Sequence, residues 1–285
     1  MNARTLSSLL GLILAAFISH AVEPLRLAPQ RSSPFDLEIT GLASSDTTNG
    51  FVTRAQLLTL PLVTATNHLD PALKTSAIYR GIPLAQLAQF LPVIPDSDVV
   101  FAVCTDGYSA HFTRDYLEAF SPLLILEING QGPEAWGRSL ASGVDLAPFY
   151  IQSAAFTPRP DRTVAGLQEG LIYPYAVARI HFTTATRTLD LLAPPPDAPD
   201  LARDGFTLAR RDCLSCHGHR DFGGMQSNRP WLLLRTWASN TNYFRRYVVK
   251  PKSVQPASRM PGFTHYNDEA LDALQAYFKS WKPGK

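Results

Sequence analysis

Hydrophobic positions alternate or run together in short stretches over the first two-thirds of this 285-residue chain, and turn helical in its last third. Leu37 and Ile39 flank a polar residue and stop at Gly41, which predicts a strand. Residues 53–60 predict a short helix, with Thr53 as its cap and Pro61 as its stop. Pro83 suits the first turn of a second helix that runs to about Phe90 and ends before Pro92. The runs VVFAVC (99–104) and LLILEI (123–128) are unbroken and rich in β-branched residues, so both predict buried strands. Turn signals follow each, Asp106-Gly107 and Asn129-Gly130. Further strands are expected near 148–154 and 177–183. Short helices among strands point to an α+β domain. The Pro-, Ser- and Gln-containing segment 22–35 predicts an exposed lead-in.

The pattern breaks at APPPDAPD, residues 193–200. Its prolines favour an extended polyproline form, so a linker is placed at 189–200 and a domain boundary with it. The N-terminal domain then spans 35–188 and the C-terminal one 201–285. In the latter, Asn267 can cap a final helix. Leu271, Leu274, Phe278 and Trp281 fall on one face of it.

Charge sharpens this division. Residues 201–285 hold 14 Lys/Arg and 6 Asp/Glu, a balance of +8, whereas residues 1–200 hold 12 and 18, a balance of −6. Two ordinary solvated surfaces would account for this. So would a basic module that docks an acidic partner, or its own acidic N-terminal domain. The basic residues form no nucleic-acid reading motif. Residues 1–21 read as an export signal: Arg4, an apolar core from Leu9 to Ile18, then Ser19-His20-Ala21. The stretch is short for a membrane span, so membrane attachment is expected only if the signal stays uncleaved. The expected location is the periplasm.

The most specific feature is CLSCH at 213–217. Two thiols three residues apart can each add across a porphyrin vinyl group, and His217 then lies beneath the iron as an axial ligand. A redox-active thiol pair and a zinc half-site are the competing readings. Zinc needs four ligands and no second cysteine pair exists, and a thioredoxin-type pair would follow a strand. One haem c, joined through Cys213 and Cys216, is therefore expected. Met225 lies eight residues after His217, too near to reach the opposite face. Met260 lies 43 residues on, in SRMPGF, and its thioether is the expected sixth ligand. His219 and His265 are weaker alternatives.

Residues 201–285 resemble class I cytochrome c. In that family an N-terminal helix crosses the C-terminal helix at a small residue. Gly205 occupies the matching place, and Leu274 and Tyr277 match the facing residues. The family's aromatic four places before the first cysteine is Ala209 here, for which Phe206 is the available substitute. Pro230 lies where the family's proline carbonyl accepts a hydrogen bond from the proximal histidine, a contact that tunes the iron. Read without the family, it is a turn proline at a helix boundary.

The N-terminal segments FDLEITGL (35–42), VTRAQLLTLP (52–61), IYRGIPLAQLAQFL (78–91), DGYSAHF (106–112) and LILEINGQ (124–131) resemble, in order and spacing, the sulfite-oxidase-type molybdopterin-binding fold. The resemblance runs over roughly 35–185. In its catalytic members a cysteine between the second and third segments binds molybdenum. Here residues 62–77, LVTATNHLDPALKTSA, contain none, which argues against molybdopterin. Cys104 reads as a small buried hydrophobe. His68 and His111 could bind substrate or a metal, but lone histidines near turns are more often solvated, which is the expectation here; Asp106 and Tyr108 are expected to shape a turn.

Together these readings predict a periplasmic c-type cytochrome that carries single electrons, its N-terminal domain a docking or degenerate molybdoenzyme-like module for a partner oxidoreductase. An alternative is a two-domain oxidoreductase whose N-terminal domain oxidises a small substrate and feeds the haem. A third is a haem-based sensor, which requires Met260 to detach.

Overall fold

The computed structural model describes residues 24–44, 49–136, 143–226 and 230–283. The export signal expected at 1–21 lies outside the described residues. The first two-thirds of the chain is a mixed α+β arrangement. In chain order it comprises β1 (Leu37–Thr40), β2 (Asn49–Val52), α1 (Arg54–Leu57), β3 (Val63–Asn67), β4 (Ala77–Pro83), α2 (Leu84–Leu87), β5 (Val99–Cys104), β6 (Ser109–Thr113), α3 (Arg114–Phe120), β7 (Leu123–Ile128), α4 (Pro133–Trp136), β8 (Tyr150–Gln152) and β9 (Val177–Thr183). The described residues after Leu192 form α5 (Asp200–Leu208), α6 (Trp231–Ala238), α7 (Thr241–Val249), α8 (Pro251–Val254) and α9 (Asp268–Ser280), with no strand among them. No helix among the described residues is long and apolar enough to cross a membrane.

Two sheets organise the first part. One has the order β2-β1-β9-β5-β6, with β1 and β9 parallel and the remaining pairs antiparallel. The other, β3-β4-β7-β8, is antiparallel throughout. The unbroken apolar run of β5 has a structural cause. Val100, Ala102 and Cys104 enter the core of the first part, while Val99 and Phe101 point the other way, into the core of the helical part. A strand covered on both faces cannot show the polar half of a period-two pattern.

Several local expectations hold. Thr53 caps α1 with a full capping box, its side chain and that of Gln56 each satisfying a backbone N–H of the other. Asn267 caps α9 by accepting from the Ala270 N–H at 2.8 Å. Others are corrected. Pro83 ends β4 and stands before the first turn of α2, which tightens into a 3₁₀ turn at Ala88–Phe90. The lead-in is not free: the Leu25 N–H bonds the Phe90 carbonyl at 2.8 Å, Ala28 pairs with Phe51, and Leu25 and Leu27 pack on the core. The linker at 189–200 is likewise tied down. Leu189 and Leu192 are buried among the helices, and the Tyr277 hydroxyl donates to the Leu192 carbonyl at 2.6 Å.

Helices α5 and α9 cross at Gly205. A Cβ placed there would overlap the backbone of Ala273 and lie 2.8 Å from the Tyr277 Cβ. Backbone on the far side cannot swing aside, so bulk at this position must push the helices apart. Gly205→Val is expected to lower stability by about 3 kcal/mol or more, by overpacking. Urea unfolding of the purified variant measures it; unchanged stability would show that the crossing is loose.

Candidate functional site

Cys213, Cys216 and His217 sit at the end of a helical stretch. Helix α5 runs into a π-helical segment, Ala209–Cys213. The N–H groups of Cys216 and His217 then both donate to the Cys213 carbonyl, at 3.1 and 2.9 Å. This tight turn holds two thiols and an imidazole together. Gly224 fits against the turn because a Cβ there would overlap the Ser215 backbone. Its N–H donates to the Leu214 carbonyl at 2.8 Å.

These three residues and Met260 line one narrow cavity, closed by Leu234, Phe244, Val248, Phe263, Leu274 and Phe278. Met260 arrives from the loop between α8 and α9. Its N–H donates to the Ser258 hydroxyl at 3.2 Å, and that hydroxyl shares a 3.0 Å hydrogen bond with the Tyr247 hydroxyl. The Phe263 N–H bonds the Val248 carbonyl at 3.0 Å and anchors the other end of the loop. The 42 intervening residues are thus folded back so that thioether and imidazole line the same space.

Met225 is not brought there. It is 70% exposed, and its N–H bonds the Gly107 carbonyl at 2.7 Å. His219 lies against Trp281, with ring centroids 5.5 Å apart. Pro230 precedes α6 as its cap, and its carbonyl accepts from the Leu233 N–H at 2.9 Å. The next N–H, of Trp231, bonds the Gly218 carbonyl at 3.0 Å, which fixes this corner beside His217. Phe206, the expected substitute for an aromatic at Ala209, packs on Tyr277 with ring centroids 5.5 Å apart.

The donor chemistry fits a covalently held haem. Among the described residues no three His, Cys, Asp or Glu side chains gather as a metal cluster. A porphyrin supplies four ligands itself and asks the protein for two, which the imidazole of His217 and the thioether of Met260 would provide. Burial pushes the thiol of Cys213 well up. It also raises that of Cys216 to about 11, with a smaller contribution from Asp106.

The stretch 62–77 does not fit molybdenum. It forms β3 and the following turn, where Asp70 is fully buried. The Asp70 carboxylate accepts from the Tyr79 hydroxyl, from the Tyr150 hydroxyl at 2.7 Å and from Gln152 Nε2 at 3.3 Å. It also accepts the N–H groups of Ala72 and Leu73, at 2.8 and 2.6 Å. An acceptor so fully used has no lone pair to offer, and no thiol lies nearby in sequence. Nothing in the residue pattern announced this cluster beyond a lone aspartate in a turn.

A second, much larger space adjoins the first and shares Asp212, Cys216 and Pro261 with it. This cleft has a volume of about 1030 Å³. It runs between the β5–β6 hairpin, the loop before β9 and the segment that carries the thiols. The two parts of the chain meet at its base. The Ser109 N–H donates to the Ser215 carbonyl at 2.9 Å, Phe101 packs on Phe222 at 6.0 Å, and Arg211 Nη1 donates to the Gln168 carbonyl at 3.0 Å. Gln226 receives the Cys216 thiol at 3.0 Å and donates to Asp106. Asp106 and Tyr108 shape the turn as expected, the Tyr108 N–H bonding the Asp106 carboxylate at 2.9 Å.

His111 departs from expectation. It is buried, packed beside Phe101 at 5.8 Å, because β6 turns it toward the helical part. His68 is exposed as expected, and Cys104 is buried. Burial, with Arg210 adding repulsion, pushes the His111 pKa down to about 3. A depressed histidine pKa favours the folded state fully above the unfolded value near 6.5, and this contribution is lost as pH falls from there toward 3. One proton taken up on unfolding corresponds to about 1.4 kcal/mol per pH unit. Unfolding free energies measured between pH 6.5 and 4.5 should show this slope, and His111→Gln should reduce it by about that amount.

No family model matches the chain, and no curated protein does. Among solved structures, the sulfane dehydrogenase SoxCD from Paracoccus pantotrophus is similar over 55% of this chain and 39% of its own, with a TM-score of 0.36 and 16% sequence identity.

Proposed function

We propose that this protein is a periplasmic c-type cytochrome that passes single electrons through one haem. Cys213 and Cys216 hold the haem as thioethers, and His217 and Met260 ligate its iron. One observation carries the reading: Cys213, Cys216, His217 and the distant Met260 converge on one apolar cavity. Bound there, a haem supplies a one-electron couple. The chain's own residues would set its behaviour. His217 is buried, and the apolar walls exclude water, so the iron's surroundings change little between charge states. The cytochrome module corresponds to 201–285, and 35–188 is a molybdoenzyme-like module without the thiol that molybdenum needs.

The thiol segment lies against the β5–β6 hairpin, so a haem held by Cys213 and Cys216 would be covered on one side by the N-terminal part. The cleft beside Cys216 favours a second reading, a two-domain oxidoreductase in which a small donor reaches the haem through the protein's own N-terminal half. Protein purified after export in a host that matures c-type cytochromes tests the first reading. The alkaline pyridine spectrum should show one haem c per chain, and the native spectrum should be low-spin and six-coordinate. A stoichiometric content of molybdenum would overturn it in favour of the enzyme.

A further inference from the structure

The cleft is large enough for a small organic ligand, at the upper end of the usual range for such sites. Its lining holds four arginines, of which three are engaged. Arg159 is held by Asp115 and Glu169, at 3.0 and 2.7 Å. Arg162 reaches Asp115 at 3.2 Å, and Arg211 pairs with Asp212 at 2.7 Å. Arg210 is different. It makes no hydrogen bond with the described residues and lies over the Phe206 ring, 5.4 Å from its centroid. Among the described residues, the carboxylate that acts on it is Asp190, through charge and not contact. Its guanidinium is half-buried in the cleft lining and meets no protein acceptor among the described residues, and a carboxylate there would take two of its N–H groups at once.

A second observation concerns two aromatic residues of the same lining. Tyr173 and Tyr175 line the same cleft and are each 37% exposed, on the irregular stretch that leads into β9. Two aromatic side chains left open over a cavity offer flat apolar surface to a ring. Five carboxylates line the cleft. Asp115, Glu169 and Asp212 are paired with the arginines above, Asp106 takes the Tyr108 N–H and the Gln226 amide, and Asp161 is exposed to solvent, which screens its charge.

We propose that the cleft binds a small aromatic carboxylate, its carboxylate on Arg210 and its ring against Tyr173 and Tyr175, beside Cys216. The site gives the second functional reading a ligand class, and it depends on the haem reading only for what lies next to it.

Titration calorimetry on the full-length, haem-loaded protein tests this. The probes are benzoate, its uncharged analogue benzyl alcohol, and sulfate as an anion without a ring. Benzoate is expected to bind one per chain, with the other two at least about tenfold weaker, as loss of a charged hydrogen bond or of ring contact implies. Arg210→Gln should weaken benzoate about tenfold or more. Tyr175→Ala changes an exposed side chain, so it keeps the test valid if the arginine variant misfolds. It should weaken benzoate severalfold. No benzoate binding, equal binding of sulfate, or unchanged affinity in Tyr175→Ala would overturn the proposal. The pyridine spectrum of the same samples separates the two claims. Benzoate binding without haem would remove the cytochrome reading and keep the site, and haem without benzoate binding would do the reverse.

Discussion

Replacing both Cys213 and Cys216 by alanine is expected to leave a chain from which acid and organic solvent extract all haem, whereas the unaltered protein keeps all of it. The two thiols stand on one tight turn and line the cavity that His217 and Met260 share. A thioether at each keeps the porphyrin attached even when the chain unfolds, so rebinding is intramolecular and does not depend on free haem. Without them, only the two iron ligands and apolar contact retain it. The single variants, each with one thioether, should still keep haem through extraction. Mass spectrometry of the denatured chain reads the outcome directly, as the polypeptide with or without one haem. Haem that stayed on the double variant would mean that it is attached elsewhere, and the reading of CLSCH would fail.

Met260→Ala is expected to abolish the methionine–iron charge-transfer band and to lower the reduction potential. A thioether favours ferrous iron, and the water or weaker ligand that replaces it does not. The fall should exceed about 60 mV, which is a tenfold change in a one-electron equilibrium. The same variant should bind carbon monoxide in the reduced state far more readily than the unaltered protein. Stability should suffer little, because Met260 lies on a surface loop and is only partly buried. Potentiometry with optical detection checks both signatures. An intact band would mean that another residue ligates, and Met225, 70% exposed and tied to Gly107, is poorly placed to do so.

Two features of the surroundings explain why the fold and site could be read unequally well. Strands β5 and β7 were plain from their apolar runs, and α9 from its cap and its stripe. Strands β3 and β6 were not. VTATN at β3 and SAHFT at β6 are short and half polar, and they become strands because neighbouring strands take their backbone hydrogen bonds. His111 belongs to the same class of omission. Its position beside a turn signal implied water, yet the face of β6 that carries it is covered by the helical part.

The sequence by itself determined the local chemistry: the spacing of Cys213, Cys216 and His217, the caps Thr53 and Asn267, the glycine at 205, and the lack of a cysteine in 62–77. These follow from neighbours a few residues apart, where covalent geometry and the helical repeat decide what can face what. Only the tertiary structure decided the rest. It folded the Met260 loop back to the cavity of His217, saturated Asp70 with Tyr79, Tyr150 and Gln152, and laid the β5–β6 hairpin against the thiol segment so that a cleft opens beside Cys216. Such contacts join residues from about 9 to more than 100 positions apart. They depend on which faces are buried together, which a pattern along one chain does not encode.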